Sequence, residues 1–382
     1  MRLVDLALQR LLQSLGVLEH TEFYCFEPPN LLGASTHEIL YRSILDMDDP
    51  GTYDAILIWG DFIITKWYLE KMAAAMAGTR RMRREAVREA LLRRVLLRDL
   101  PPESLGRVVL FGQNIFLDKQ AIFRDEPYLG AFRKLLTHAR VARLRDPVSA
   151  WCAAEITGQP PGRFAGVDPA LLIGLIDPPQ APPTAGKNQP SSRVGIFLDR
   201  TNCSLLTRLT LSLALRLAGG LQPLWIPWFP PIRSPSILSR AIFGIRHSAR
   251  PTTLMDYLDT VRGCRFIISD AYHLCLTAWA QGVPALSIGR GAQKFKSTVS
   301  DKKKEVFYLS HHLDELYVFC DSPLSNILRG RIRRAMALAT DPNIGHEVRK
   351  RLMVMAEENF VTVQTALMDI LRTQRPGQGR VQ

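Results

Sequence analysis

The chain has 382 residues, too many for one ordinary hydrophobic core, so we expect two domains. Hydrophobic and charged shares of 47% and 22% are typical of a soluble globular protein. A net charge of +13 favours anionic partners such as phosphorylated small molecules, acidic glycans, nucleic acid or an anionic membrane surface.

The cysteines and the first residues of the chain argue against several kinds of site and of protein. Six scattered cysteines form no CxxC pair, which argues against a zinc site and favours free thiols in a reducing compartment. We expect no metal and no cofactor. Arg2 and Asp5 bring charge too early for a signal peptide, and Arg216 interrupts the most apolar stretch, so no membrane span is expected. The expected location is cytoplasmic, with contact to a membrane surface left open.

Apolar periodicity in the first half of the chain predicts strands that alternate with helices. Such an alternation indicates a parallel sheet covered by helices. The predicted strands are 22–26, 53–59, 107–112 and 141–146, and the predicted helices are 3–15, 62–76, 80–98, 128–139 and 149–156. The helix at 80–98 carries eight arginines; we interpret it as a solvated face, with an anionic lipid or glycan patch as the alternative.

A stretch rich in proline, glycine and serine, at 179–192, predicts a linker between a domain at 1–178 and a second one at 193–372. The tail from 373 is predicted to be disordered. Strands are predicted at 194–198, 221–228, 265–269, 283–288 and 306–309, and helices at 204–218, 253–261, 274–280, 326–339 and 345–372. The repeated pattern predicts an α/β fold with two Rossmann-like domains facing across a cleft (GT-B-like) and long C-terminal helices.

The segment Ser-Asp-Ala-Tyr-His at 269–273 lies where a predicted strand ends and a helix begins. Ligands of open α/β sheets bind at the carboxyl ends of strands, and a helix N-terminus attracts anions. A histidine there can bind a phosphate or move a proton near neutral pH. The alternative is a helix cap with a hydrogen-bonded, half-buried histidine.

Four segments together resemble the polysaccharide pyruvyl transferase family. The first is a strand running into Gly60, and the second is Arg-Asp-Pro-Val-Ser at 145–149. The third is Asp-Pro-Ala at 168–170, and the fourth combines 268–273 with Gly-Val-Pro at 282–284 and Lys294. The family has an arginine where this chain has Ala271, and its opening strand has no counterpart, which implies a truncated start or a remodelled site. By itself, Arg145-Asp146 is interpreted as a local ion pair.

The resemblance implies transfer of a pyruvyl unit from phosphoenolpyruvate to a sugar hydroxyl of a glycan or a lipid-linked precursor. The N-terminal domain would bind the acceptor and the C-terminal domain the donor. His273 would be the acid or a phosphate ligand, Arg200 would bind the donor's anionic groups, and Lys294 would add positive charge. A surface salt bridge for Arg200 and a solvated loop for Lys294 are the alternatives. Further substrate-binding candidates are Tyr272, Ser269, Asp61, Gln113 and Asn114, with a helix cap as the favoured role of Asp61.

Two other functions remain open at the level of sequence. A glycosyltransferase of GT-B type would use a nucleotide sugar, whose phosphates His273 and Lys294 would hold. A non-catalytic glycan-binding relative would have kept the fold and lost the arginine at position 271. Nucleic-acid binding is not expected, because the charge is dispersed and shows no basic and aromatic groove pattern.

Overall fold

The computed structural model divides the chain into two compact units. One comprises Val4–Pro169 and Met355–Gln382, and the other Ala170–Val354 and Met1–Leu3. The structure describes residues 2–26, 40–60, 64–115, 125–176, 191–199, 203–227, 234–251, 253–290, 299–320, 325–341 and 343–374.

The first unit is built on a three-stranded parallel sheet of order β3-β4-β5, beside a parallel pair β1-β2. The strands are β1 (Phe23–Cys25), β2 (Tyr41–Ser43), β3 (Ile56–Trp59), β4 (Val108–Gln113) and β5 (Val141–Leu144). The helices are α1 (Arg2–Ser14), α2 (Lys66–Arg80), α3 (Arg84–Arg94), α4 (Pro102–Leu105), α5 (Glu126–His138) and α6 (Pro147–Thr157). Single 3₁₀ turns occur at Leu18–His20, Ile44–Asp46, Pro50–Thr52 and Pro161–Arg163.

The sequence of the central strand β4 is almost uniformly apolar, and the burial of this strand explains why. All six of its residues are buried, as expected for a parallel strand with helices on both faces. Helix α5 buries Phe132 and Leu135 in the same core, and it starts at Asp125, whose carboxylate accepts from the Tyr128 N–H. Polar side chains at the carboxyl end of this sheet are therefore carried by well-packed strands.

The second unit contains a six-stranded sheet of order β11-β10-β9-β6-β7-β8, in which every neighbouring pair is parallel. The strands are β6 (Arg193–Phe197), β7 (Gln222–Trp225), β8 (His247–Ser248), β9 (Phe266–Ser269), β10 (Ala285–Gly289) and β11 (Tyr317–Phe319). From β6 the chain adds strands first on one side and then on the other, so the topological switch point lies between β6 and β9. This is where doubly wound sheets bind ligands.

The helices of this unit are α7 (Ile173–Ile176), α8 (Leu205–Leu217), α9 (Ile237–Phe243), α10 (Leu254–Arg262), α11 (Tyr272–Ala280), α12 (Val299–Ser310) and α13 (Ser325–Thr340). Helix α14 (Ile344–Gln374) spans the division between the units, and single 3₁₀ turns lie at Pro169–Leu172 and Asp314–Leu316. The strand predicted at 306–309 is wrong, because these residues continue α12. A short apolar run such as Val-Phe-Tyr-Leu fits a buried helix face as well as a strand.

The predicted fold class is confirmed in both units, each of which has a parallel sheet and the helices of a Rossmann-like α/β fold. The long C-terminal helices are also confirmed. Within the described ranges, none of the helices combines the length and the apolar character needed to cross a bilayer.

Candidate active site

The candidate site lies at the switch point of the six-stranded sheet. Phe197 is in register with Ser269, and the Asp270 N–H donates to the Phe197 carbonyl (3.0 Å). The carboxyl ends of β6 and β9 are therefore hydrogen-bonded side by side. The chain leaves β6 towards Arg200 and leaves β9 towards His273.

A tight turn carries the chain from β9 into α11. The Ser269 hydroxyl is buried and accepts from the Ala271 N–H (2.9 Å), which bends the backbone into the helix. Ala271 is the N-cap and has no side chain that could accept from the first turn. The helix N-terminus therefore keeps its attraction for an anion beside His273.

His273 lies in the first turn of α11 and is half-buried, as one of the two sequence interpretations expected. Its ring centroid lies 5.1 Å from that of Tyr272. Tyr272 is buried against Phe307 of α12, with Lys303 Nζ 5.7 Å from its ring centroid. Tyr272 thus fixes the first turn of α11 against α12, and this packing orients the neighbouring histidine.

A buried lysine that sequence reasoning missed supports the same turn. Lys304 Nζ donates to the carbonyls of Asp270 (2.9 Å) and Ile288 (2.5 Å), and it lies 3.1 Å from Asp301 Oδ1. The side chains of Lys304 and Asp301 are fully buried. Lys304 therefore joins the exits of β9 and β10 through their carbonyls. The spacing of Asp301 and Lys304 on a helix was the available signal, but 306–309 was interpreted as a strand.

Gly289 at the end of β10 leaves space for this cluster. A Cβ at position 289 would overlap the Tyr317 hydroxyl and lie 2.9 Å from Asp301 Oδ1. Tyr317 in turn donates to the Arg290 carbonyl (2.9 Å). The close approach of the Tyr317 phenol to the backbone is thus possible only beside a glycine.

At the exit of β6, Arg208 of α8 holds the strand end. Its guanidinium donates to the Leu198 carbonyl (2.6 Å) and the Ser239 hydroxyl (2.7 Å), and Nη1 lies 3.5 Å from Asp199 Oδ1. The backbone that leads to Arg200 is therefore anchored. Arg200, Lys294 and Asp61 themselves lie outside the described residues, and their roles stay predictions.

Gln113 and Asn114 belong to the other unit, at the carboxyl end of β4. Both are fully buried. Gln113 Nε2 donates to the Gly60 carbonyl (2.6 Å), and Asn114 Nδ2 donates to Asp146 Oδ2 (2.8 Å). Among the described residues, Gln113 Oε1 and Asn114 Oδ1 have no hydrogen-bond partner.

Arg145 and Asp146 do not pair with each other, which corrects the interpretation as a local ion pair. Arg145 Nε lies 3.0 Å from Asp168 Oδ2, and both side chains are almost completely buried. Asp146 instead caps α6 by accepting from the Ser149 N–H (2.8 Å). Two of the segments that carry the family resemblance are thus joined by a buried ion pair, a structural role.

Burial makes Cys203 and Cys264 poor nucleophiles. All six cysteines are free thiols, five of them buried. Burial, with Cys320 nearby, raises the pKa of Cys203 to about 12, and burial raises the pKa of Cys264 to about 12. Such thiols stay protonated at neutral pH. In the part of the chain that the structure describes, no three His, Cys, Asp or Glu side chains are grouped so that they could hold a metal ion.

Comparison with known protein families identifies the family of this chain. The family model for polysaccharide pyruvyl transferase matches residues 52–291, well over half of the chain. The chain belongs to the polysaccharide pyruvyl transferase family. The predicted resemblance is therefore confirmed, and this family member is a transferase that modifies polysaccharides. The match spans both units and includes the β6–β9 switch point.

Similarity to solved structures is low. The UDP-GlcNAc 2-epimerase from Neisseria meningitidis, solved with UDP-GlcNAc bound, is 10% identical, with a TM-score of 0.44 over 88% of this chain and 86% of the epimerase. MnaA from S. aureus, solved with UDP, is 10% identical, with a TM-score of 0.39 over 81% and 78%. The glycotransferase of kitacinnamycin is also 10% identical, with a TM-score of 0.38 over 84% and 85%. No curated protein sequence matches this pyruvyl transferase family member.

Proposed function

We propose that this protein transfers a pyruvyl group from phosphoenolpyruvate to a glycan or a lipid-linked sugar and forms a cyclic ketal. In this reaction the methylene carbon of phosphoenolpyruvate gains a proton, two sugar hydroxyls bond to the central carbon, and inorganic phosphate leaves. The observation that supports the proposal is the position of His273, in the first turn of α11 beside the β6–β9 switch point.

His273 is proposed as the catalytic acid or as a ligand of the donor phosphate. A half-buried imidazole can carry a proton to the methylene carbon at neutral pH. Alternatively, it donates to the phosphate that the N-terminus of α11 attracts. In either role the turn held by Ser269 and Lys304 fixes the ring before substrate binds. Ser269 and Tyr272 therefore contribute by positioning the ring as much as by contact with substrate.

Arg200 and Lys294 are proposed to neutralise the donor. Phosphoenolpyruvate carries a phosphate and a carboxylate, and a guanidinium can bind either group with two parallel hydrogen bonds. The anchoring of Leu198 and Asp199 by Arg208 supports such a role for the residue that follows them. Gln113 and Asn114, which are fully buried, are proposed to support the acceptor side from within the unit by holding the Gly60 carbonyl and the Asp146 carboxylate. Asp61 remains a candidate for the acceptor side or for a helix cap.

Donor binding is the first test of the proposal. Thermal unfolding is followed with phosphoenolpyruvate, with inorganic phosphate and with nucleotide sugars, UDP-GlcNAc among them. We expect phosphoenolpyruvate near saturation to raise Tm by roughly 2–4 °C, because it binds only the folded chain. A response to a nucleotide sugar and none to phosphoenolpyruvate would replace the proposed donor.

Turnover is the second test. The chain is incubated with phosphoenolpyruvate and a panel of glycans, and phosphate release is measured beside the mass of the glycan. We expect one phosphate released for each ketal formed. Phosphate release without a change in glycan mass would indicate hydrolysis of the donor. No response to any donor or glycan would favour a non-catalytic relative.

A further inference from the structure

Helix α8 buries Leu211 and Leu215 but also turns a broad apolar face outwards. Its buried positions include Thr207, Thr210 and Ser212, whereas five leucines are 42–69% exposed: Leu205, Leu206, Leu209, Leu213 and Leu217. At 100° per residue these leucines fall within one arc of about 120°. A helix of a globular protein normally buries such a face and exposes its hydroxyl side chains.

The inward hydroxyl groups are satisfied, so this orientation is consistent with the packing of the unit. Ser212 Oγ donates to the Ile242 carbonyl (2.5 Å), and Thr210 Oγ1 donates to the Leu206 carbonyl (2.8 Å). Thr207 Oγ1 donates to the Cys320 carbonyl (3.4 Å). Because the buried polar groups have partners, the leucine face is the side that the fold leaves outside.

Helix α9 packs beside α8 and extends the apolar surface. Hydrogen bonds from Ser212 and Arg216 to the Ile242 carbonyl and from Arg208 to Ser239 join the two helices. On α9, Ile237 is 89% exposed and Leu238 is 51% exposed. Together the two helices expose seven large aliphatic side chains, more than scattered surface leucines would give. These seven residues are called the leucine surface below.

The segment of the chain that contains the leucine surface is rich in positive charge. From 200 to 255 the sequence has no aspartate or glutamate, and it has seven arginines. Arg216, Arg240, Arg246 and Arg250 of this segment are exposed. Arg216 lies within the leucine arc of α8 itself. An exposed aliphatic face with arginines among and beside its residues is typical of helices that lie in a membrane interface.

We propose that the leucine surface binds peripherally to an anionic lipid bilayer. The leucines of α8 and the aliphatic tip of α9 enter the boundary between headgroups and acyl chains, and the arginines bind lipid phosphates. Docking of this kind concentrates the protein at a membrane that carries anionic lipids. It is independent of the pyruvyl transfer proposed above, because it involves neither His273 nor its neighbours.

Charge and composition favour a bilayer over another protein as the occupant. Two copies of this chain that met through their leucine surfaces would bring arginines together without a carboxylate from 200–255 to offset them. Protein interface cores are enriched in aromatic residues and methionine, whereas the large apolar side chains exposed on α8 and α9 are leucine and isoleucine only. A lipid surface requires neither shape complementarity nor aromatic anchors.

The arginine cluster at 80–84, where α2 ends and α3 begins, is the lipid patch considered from the sequence, and it is a weaker candidate. Arg80 Nη2 lies 2.8 Å from Asp46 Oδ2, and Arg84 Nη2 lies 2.8 Å from Glu70 Oε2. The Arg80–Asp46 pair is exposed and Glu70 is partly exposed, so each pair brings a carboxylate to the surface. Met82 is the large apolar residue exposed between them. This region serves as the comparison in the test.

The test is flotation of the full chain with vesicles of phosphatidylcholine alone or mixed with phosphatidylglycerol. We expect binding to the anionic vesicles, weakened by added salt because lipid charges are screened. The combined variant Leu209→Gln, Leu213→Gln and Leu217→Gln should bind on the order of a hundredfold more weakly, since each half-exposed leucine contributes several-fold or more. Arg240→Gln with Arg246→Gln should weaken anionic binding as well.

The matched control is Val354→Gln with Val361→Gln, which changes exposed aliphatic residues of α14 and should leave binding unchanged. Glutamine has nearly the helix propensity of leucine, so the leucine variant should keep its Tm. If it is less stable, Leu217→Gln alone is used, with roughly tenfold weaker binding expected. Equal binding by the leucine variant, or loss in Arg81→Gln with Arg83→Gln instead, overturns the proposal. The proposal is also overturned if the wild-type chain binds no vesicles but forms a dimer that the leucine variant abolishes.

Discussion

Lys304 Nζ lies 3.1 Å from Asp301 Oδ1, one turn apart on α12, with neither side chain reaching solvent. The ammonium also donates to the Asp270 and Ile288 carbonyls. The buried ammonium thus has a countercharge and two carbonyl acceptors, as burial of a charge requires. The pair fixes the backbone that leads to His273 without taking part in chemistry itself.

Removing one member of this pair is predicted to destabilise the protein strongly. Lys304→Met leaves Asp301 buried without its cation, at a cost of about 3–5 kcal/mol in the free energy of unfolding. The double variant Lys304→Met with Asp301→Leu removes both charges and should recover part of that loss. Urea unfolding of both variants measures the difference. A single variant as stable as the wild type would mean that water reaches the site.

The strong apolar runs were predictable from sequence, because parallel strands buried on both faces consist almost entirely of such residues. The predictions at 107–112 and 265–269 coincide with β4 and β9 to within a residue at either end. The edge strand β8 consists of His247 and Ser248, both exposed, and offers no apolar pattern to detect. Edge strands bury little, so periodicity cannot find them.

The position of the candidate site could be predicted from the sequence, but the contacts that hold it in place were less predictable. Strand exit and helix start at 269–273 follow from local signals, and the structure places both there. Arg145 pairs with Asp168, which lies 23 positions away along the chain. The sequence did not indicate this contact, because the adjacent Asp146 was the more obvious partner. Likewise, nothing local shows that 355–374 groups with the first unit. That the two domains face each other across a cleft remains a prediction.

The second prediction concerns the catalytic role proposed for His273. His273→Gln should abolish ketal formation and the accompanying phosphate release, because glutamine cannot deliver a proton at neutral pH. Its Tm should stay close to that of the wild type, since the ring is half-buried and Tyr272 carries the packing. His346→Gln changes an exposed histidine of the same unit and should keep full activity. Full turnover by His273→Gln would exclude the histidine from the chemistry.

The third prediction compares two glycines of the first unit. Gly112 has φ +74°, and a Cβ there would overlap the Pro169 ring, so Gly112→Ala should lower stability by about 3 kcal/mol or more. Gly130 lies exposed in α5 with open space around it, and Gly130→Ala should raise stability by about 0.5–1 kcal/mol. Thermal and urea unfolding give both values. Equal effects of the two substitutions would contradict the close contact at Pro169.

The last prediction concerns stability in acid and His311, the residue that directly follows α12. Burial against Phe307, with the positive charge of Arg351 and His312 nearby, lowers the pKa of His311 from 6.5 to about 4. The unfolded chain therefore takes up this proton at a higher pH than the folded chain does. The stabilising effect of the neutral ring is complete above pH 6.5 and is lost as the pH falls towards 4.

The loss should reach at most about 3 kcal/mol, and less to the extent that water reaches the half-buried ring. Urea unfolding of the wild type and of His311→Gln is to be compared at a series of pH values. The series runs from about 7 to about 4, so that it roughly spans the two pKa values. Other carboxyl groups titrate in both proteins, so the difference between the two curves isolates His311. We expect the wild type to lose more stability than the variant on acidification, because glutamine takes up no proton. Parallel curves would show that the ring is as accessible to protons in the folded chain as in the unfolded one.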